Sequence, residues 1–111
     1  MSRYNFEPGD VVISDLGFVK GHEQEGVRPC VVIKYFPIFK ILVILPTTTK
    51  DKGYYTQVRI PQGEGGLKEE SFVLCHQIRA LSIDRVKKVI GKVNQVTLSK
   101  IKVTLSSVLE I

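Results

Sequence analysis

Apolar residues in this chain gather in short clusters separated by glycine, proline and charged residues. That spacing predicts a small β domain. Gly9-Asp10 precedes Val11-Val12-Ile13-Ser14-Asp15, a β-branched run read as the first strand. Residues 16–27 carry three glycines and many polar side chains, which predicts a loop. A loop that long in so small a domain is more often functional than not. Cys30-Val31-Val32-Ile33 reads as a second strand opening just after Pro29, because proline is tolerated where no ladder hydrogen bond is needed. Pro37 breaks the chain. Ile41-Leu42-Val43-Ile44-Leu45 is apolar at every position, so it is expected to be central and buried on both faces, closed by Pro46. Residues 47–53 form a polar loop, residues 54–60 a half-exposed strand, and residues 61–66 a turn. Residues 72–78 predict another strand, and residues 86–93 an edge strand after a turn around Asp84. The period then changes. Asn94 can cap a helix, and Leu98, Ile101, Leu105, Val108 and Leu109 recur at helical spacing. Five or six short strands followed by one amphipathic helix predict a mainly β fold, a small and strongly curved sheet or barrel.

Composition sharpens this picture in three ways. With 111 residues, 43% of them hydrophobic, the chain suffices for one compact domain over 1–111 and not for two. Sixteen Lys and Arg against eleven Asp and Glu leave +5 at neutral pH, with an isoelectric point near 9.3. That excess favours a polyanion or an acidic protein segment, although a solvated basic surface would look the same. The basic residues are dispersed, Lys87-Lys88 being the one adjacent pair, so no polybasic tail exists. Cys30 and Cys75 lie inside apolar runs without metal or redox spacing, which fits buried thiols in a reducing cytoplasm. The first seven residues lack the apolar core of a signal peptide, and the longest strongly apolar run is too short to cross a bilayer.

Familiar catalytic signatures are missing. His22 and His76 are the only histidines and neither sits in a metal-binding motif; no P-loop, dinucleotide fingerprint or nucleophile elbow occurs. No metal or cofactor is therefore expected. What stands out is Gly21-His22-Glu23-Gln24-Glu25-Gly26-Val27-Arg28-Pro29, running from the long loop into the second strand. It resembles the G-x-E-Q-x-G-x-R-P motif of the MazF/PemK toxin family. The resemblance runs along nearly the whole chain. Gly9-Asp10-Val11-Val12 is similar to the family's opening strand, and Leu45-Pro46-Thr47-Thr48-Thr49 to its strand end and catalytic threonine. Lys52-Gly53-Tyr54 and Val73-Leu74-Cys75-His76-Gln77-Ile78-Arg79 are similar to later family segments. Each piece is weak alone; their order in so short a chain is specific.

This resemblance implies an SH3-like barrel of five to seven short strands with a C-terminal helix, dimerised so that single-stranded RNA lies near the subunit interface. It implies metal-independent cleavage by the RNA's own 2′-hydroxyl, leaving a cyclic phosphate and a free 5′-hydroxyl. The protein then has only to orient that hydroxyl, move protons and stabilise a crowded phosphorus centre. Arg28 matches the catalytic arginine, whose planar guanidinium can contact two phosphoryl oxygens at once. Thr48 matches the catalytic threonine, with Thr47 and Thr49 as rivals for that role. His76 stands where members usually carry Asp or Glu. It can move protons near neutral pH, yet strand periodicity would also place it among Phe72, Leu74 and Ile78. Leu74 replaces an arginine found in some PemK-like members. Glu23 and Gln24 match the loop that frames the site. Lys50, Lys52, Gln77 and Arg79 are candidate RNA contacts, and Tyr54 a candidate stacking surface.

The implied partners are an acidic-tailed antitoxin, a second copy of the chain, and operator DNA only through the antitoxin complex. Other readings stay open at this point. A gyrase poison of the CcdB type shares the general fold without these residues. A non-cleaving SH3-like nucleic-acid binder, or a family member that has lost activity, would share most of the pattern.

Overall fold

The computed structural model describes every residue except 1–4, 19 and 22, so His22 of the motif loop lies outside the described residues. Seven strands form one antiparallel sheet: β1 (Asp10–Asp15), β2 (Val27–Phe36), β3 (Ile41–Thr48), β4 (Gln57–Ile60), β5 (Ser71–Leu74), β6 (Arg79–Ser82) and β7 (Val86–Lys92). Helix α1 (Gln95–Leu109) follows. Strand order is β4-β5-β3-β2-β1-β7, with β6 also on β3. This is the mainly β architecture with a terminal helix that the hydrophobic pattern predicts.

Alternation explains why the sheet is covered on both sides. Val11, Val31, Leu45, Val58 and Val73 point toward α1 and pack with Ile101 and Leu105. Their neighbours Val12, Cys30, Val32, Leu42 and Ile44 point the other way and meet Phe6, Leu81 and Ile83. Adjacent residues therefore enter two different cores, as period-two side chains must. Each fully buried Val, Leu or Ile contributes about 1.5–3 kcal/mol. The expectation that residues 41–45 are central is met: β3 pairs with β2, β5 and β6.

Four boundaries differ from the sequence reading. Pro46 does not close β3, which continues to Thr48. It lies where one edge of β3 changes partner, between the β6 ladder ending at Ile44 and the β5 ladder starting at Thr47. Likewise β2 starts two residues before Pro29, and Pro29 lies opposite Ile13 just before pairing with β3 begins at Cys30. The run over 72–78 is not one strand. It is β5, a 3-10 turn at Cys75–Gln77, and then β6 on another part of β3. Residues 54–56 also precede β4 as a turn rather than belonging to it.

No ladder joins the outer strands β4 and β7 among the described residues. The gap between them is bridged by a 3-10 turn at Glu64–Gly66. A Cβ on Gly66 would lie 2.1 Å from the Ile90 carbonyl oxygen, and one on Gly91 would lie 2.5 Å from the backbone of Gly65. Backbone thus packs directly on backbone, which only glycine allows. Glu64 then reaches α1: its carboxylate accepts from Asn94 N at 3.1 Å and from Asn94 Nδ2 at 3.0 Å. Asn94 Oδ1 accepts from Thr97 N at 2.8 Å, the expected helix cap. Leu98, Ile101 and Leu105 are buried beneath the helix and Val108 packs against the same core, while Leu109 on the next position is exposed. Among the described residues no helix is long and apolar enough to cross a membrane.

Candidate functional site

Where β3 runs out into the 49–53 loop, its end, the start of β2 and the Cys75–Gln77 turn surround an open cleft of about 720 Å³. Of the residues singled out in the sequence, Gln24, Arg28, Thr47, Thr48, Thr49, Lys50, Lys52, Tyr54, His76 and Gln77 line it. Glu23 and Arg79 line a smaller adjoining recess of about 360 Å³, which shares Gln24, His76 and Gln77 with the cleft. Residues spread over more than fifty positions therefore converge on one wall system.

Arg28 is held by its own backbone surroundings. Its Nε donates to the Glu25 carbonyl at 3.0 Å and its Nη1 to the Thr47 carbonyl at 3.2 Å. A guanidinium carries five N–H donors. Two are committed to carbonyls, which fixes the plane of the fork, and the others remain for an anion in the cleft. The left-handed Gly26 permits the chain to turn into β2 just before it.

The three threonines separate clearly. Thr47 is buried and donates its hydroxyl to the Pro29 carbonyl at 2.8 Å, tying β3 to β2. Thr48 is half-exposed, and its Oγ1 accepts from Lys50 N at 3.2 Å. That bond uses a lone pair and leaves the hydroxyl proton available to a ligand. Thr49 is exposed on the rim. The loop carrying Lys50 and Lys52 is organised by Gln57, which no motif singles out. Its Oε1 accepts from Lys52 N at 2.9 Å, and its Nε2 donates to the Lys50 carbonyl at 3.0 Å. Asp51 closes a tight turn by accepting from Gly53 N at 2.8 Å.

His76 is exposed in the cleft wall rather than packed with Phe72 and Leu74. The 3-10 turn ends the period-two alternation at Leu74, so strand periodicity no longer governs where His76 points. Its Nδ1 lies 2.8 Å from the hydroxyl of Thr56, and its ring meets Tyr54 edge-on with centroids 6.2 Å apart. Gln77 joins this turn to the motif loop, its Oε1 accepting from Gln24 N at 2.7 Å. Arg79 donates from Nη1 to the Leu16 carbonyl at 3.3 Å and so steadies the base of the same loop. Beyond the residues the sequence singled out, Pro29, Ser71 and Leu74 complete the lining.

The electrostatic character of the cleft follows from this inventory. Arg28, Lys50 and Lys52 face it, and among the described residues no carboxylate lines it, Glu23 lying in the adjoining recess. The ion pairs among the described residues lie elsewhere, joining Arg59 to Glu70 and Lys92 to Glu7 and Asp10. No group of three or more His, Cys, Asp or Glu side chains is placed to hold a metal ion among the described residues. Both cysteines are free thiols. Burial pushes Cys30 up to about 12 and Cys75 up to about 11, so neither is a nucleophile at neutral pH. The arrangement can bind a phosphodiester, donate hydrogen bonds to it and offer one imidazole for proton transfer.

Comparison with known proteins places the chain and its fold among known toxins. The chain is 37% identical over 86 residues to the endoribonuclease MazF of Staphylococcus saprophyticus, a match covering 72% of this chain and 71% of that protein. Its fold is similar to the crystal structure of MazF from Deinococcus radiodurans, with a TM-score of 0.86 and 26% identity. That similarity covers 97% of this chain and 99% of the other. A MazE–MazF structure from the same organism superposes with a TM-score of 0.80 and 26% identity, covering 97% and 98% of the two chains. Residues 7–109 match the model of the PemK-like, MazF-like toxins of type II toxin–antitoxin systems, a span that takes in every strand and the helix, and the chain belongs to that family.

Proposed function

We propose that this chain is the toxin of a toxin–antitoxin pair and a metal-independent endoribonuclease that cuts single-stranded RNA. The observation that carries this reading is the cleft that brings Arg28, Thr48 and His76 together with Lys50 and Lys52 and, among the described residues, has no carboxylate in its lining. Such a wall suits a phosphodiester and offers little to a hard cation, which takes oxygen ligands, usually carboxylates. The names of its relatives, an endoribonuclease and a MazE–MazF assembly, point the same way.

In this reading the 2′-oxygen of the substrate attacks the adjacent phosphorus. The 2′-O–P bond forms, the P–O5′ bond breaks, and the products are a 2′,3′-cyclic phosphate and a 5′-hydroxyl. The free N–H groups of Arg28 contact the non-bridging oxygens, where charge builds up in the transition state. The Thr48 hydroxyl donates to one of those oxygens or holds the attacking group. His76 takes the 2′-proton or delivers one to the departing 5′-oxygen. Lys50, Lys52 and Arg79 attract the flanking phosphates, Tyr54 stacks on a base, and Glu23, Gln24, Thr47, Thr49 and Gln77 shape the groove. An acidic antitoxin segment would compete for the same basic walls, and the protein would work as a homodimer in the cytoplasm, meeting operator DNA only through its antitoxin.

The test is cleavage of single-stranded RNA by the purified protein in EDTA, with analysis of the ends. Cyclic phosphates and 5′-hydroxyls are expected. A strict requirement for added magnesium, or 5′-phosphate ends, would overturn the mechanism.

A further inference from the structure

Thr56 lies outside the motifs and outside the cleft lining, yet it is the residue that holds His76. Its side chain is nearly inaccessible, at 8% exposure, and its hydroxyl is 2.8 Å from His76 Nδ1. Its backbone is pinned as well: the Thr56 carbonyl accepts from Cys75 N at 3.0 Å, which locks it against the turn that carries His76. Tyr54, two residues earlier, meets the imidazole in a T-shaped contact. With Nδ1 engaged by a buried partner, Nε2 is the ring nitrogen left to meet a ligand.

We propose that Thr56 is a positioning residue that presents His76 Nε2 to the reacting phosphodiester; this rests on the proton-transfer reading of His76. A hydroxyl suits the task because it both donates and accepts. It can donate to a bare Nδ1 and accept from a protonated one, so the same contact survives when the ring gains or loses its proton. A carboxylate in that place would instead favour the charged ring. The charged and titratable groups around His76 in the two recesses are Arg28, Lys50, Lys52, Tyr54, Glu23 and Arg79. Thr56 adds no charge to that set and acts by geometry.

The experiment compares Thr56→Val, Thr56→Ser, His76→Gln and the double variant Thr56→Val/His76→Gln, with imidazole nitrogen NMR on the histidine-containing proteins. Thr56→Val preserves shape and removes the hydroxyl. It should lower kcat roughly tenfold or more, below the loss from removing the proton-transfer group itself, with KM changed less than about twofold. Thr56→Ser should restore most of the rate, and Thr56→Val should add no further loss once His76 is Gln. An equal additional loss in the His76→Gln background would show a merely structural threonine and overturn the proposal, as would a wild-type kcat in Thr56→Val. If His76→Gln alone leaves the rate unchanged, the proton-transfer reading fails. The contact is then judged by NMR: an altered Nδ1 resonance in Thr56→Val upholds positioning of the ring, and an unchanged one refutes it.

Discussion

At the scale of single residues, the cleft distinguishes charge from shape. Arg28 is anchored through two carbonyls, so the direction of its fork is set before a ligand arrives. Arg28→Ala should lower the cleavage rate by roughly two or more orders of magnitude, the scale for losing one main electrostatic stabiliser. Arg28→Lys keeps the charge, loses the planar fork, and should recover little of that rate. Melting curves should show both variants folded; a rate within about threefold of wild type for Arg28→Ala would remove the arginine from the reaction. For His76, His76→Gln should lower the cleavage rate roughly tenfold or more while the melting temperature stays at the wild-type value. His22→Ala serves as the control, since His22 lies in the motif loop. The two thiols make a separate prediction. Their folded values lie above the ordinary 9.0 because burial disfavours the thiolate. A raised acid favours the folded state's proton, so this stability is fully present below about pH 9. It is lost as the pH climbs toward about 11 and 12, where the unfolded chain ionises and the folded chain does not. The melting temperature should therefore fall above pH 9, and native protein at pH 8 should resist alkylation. Rapid labelling of both thiols in folded protein would contradict their burial.

At the scale of elements, the glycine crossing between the Glu64–Gly66 turn and β7 is the most exacting feature. Gly66 has a left-handed φ of +77 and its missing Cβ would collide with the Ile90 carbonyl. Gly91→Ala meets the same crowding from the other side without any φ strain. Either alanine should destabilise by roughly 3 kcal/mol or more, a large share of what holds such a domain together. Denaturant melts would reveal it as a lower midpoint, and a shift below about 0.5 kcal/mol would mean that the two segments do not press together. Asn94→Ala removes the helix cap and the Glu64 contact together and should cost about 1 kcal/mol. The helix was legible in the sequence because Asn94, Leu98, Ile101 and Leu105 state its start and buried face in local terms. The turn at Cys75–Gln77 was not. Leu74 and Cys75 are both buried, so their apolar run looks like a continuing strand, and only the switch from β5 to β6 on β3 shows why the chain bends there.

At the scale of the whole molecule, charge sets the behaviour. A net +5 on each chain doubles in a two-fold dimer, and the cleft contributes Arg28, Lys50 and Lys52 to it. RNA affinity should therefore fall steeply with added salt, while Lys50→Ala and Lys52→Ala each weaken binding and flatten that dependence. Light scattering at micromolar concentration should report a dimer. A monomer that still cleaves would exclude a groove built at the subunit interface. A neutralising acidic partner should raise the apparent RNA dissociation constant in competition. One that binds and leaves RNA affinity and cleavage unchanged would show that inhibition does not act by occupying the cleft.

Local sequence determined the strand-rich class, the helix and its cap, and the identity of most cleft residues. Those features are written in periodicity, in capping chemistry and in the ordered motif around Arg28 and Thr48. Tertiary structure decided the rest. It placed Thr47 inward on the Pro29 carbonyl and left Thr48 facing the cleft, a choice that three identical neighbours cannot express. It recruited Thr56 and Gln57, whose roles depend on partners at His76, Lys50 and Lys52. It also turned His76 out of the core by ending β5 one residue before the Cys75–Gln77 turn. Thr47 meets Pro29 across the β2–β3 pairing and Thr56 meets His76 twenty residues on, contacts that exist only once the strands are paired and that no local pattern carries; Gln57 meets Lys50 and Lys52 within one loop, but only the folded loop shows which of its polar residues turns inward.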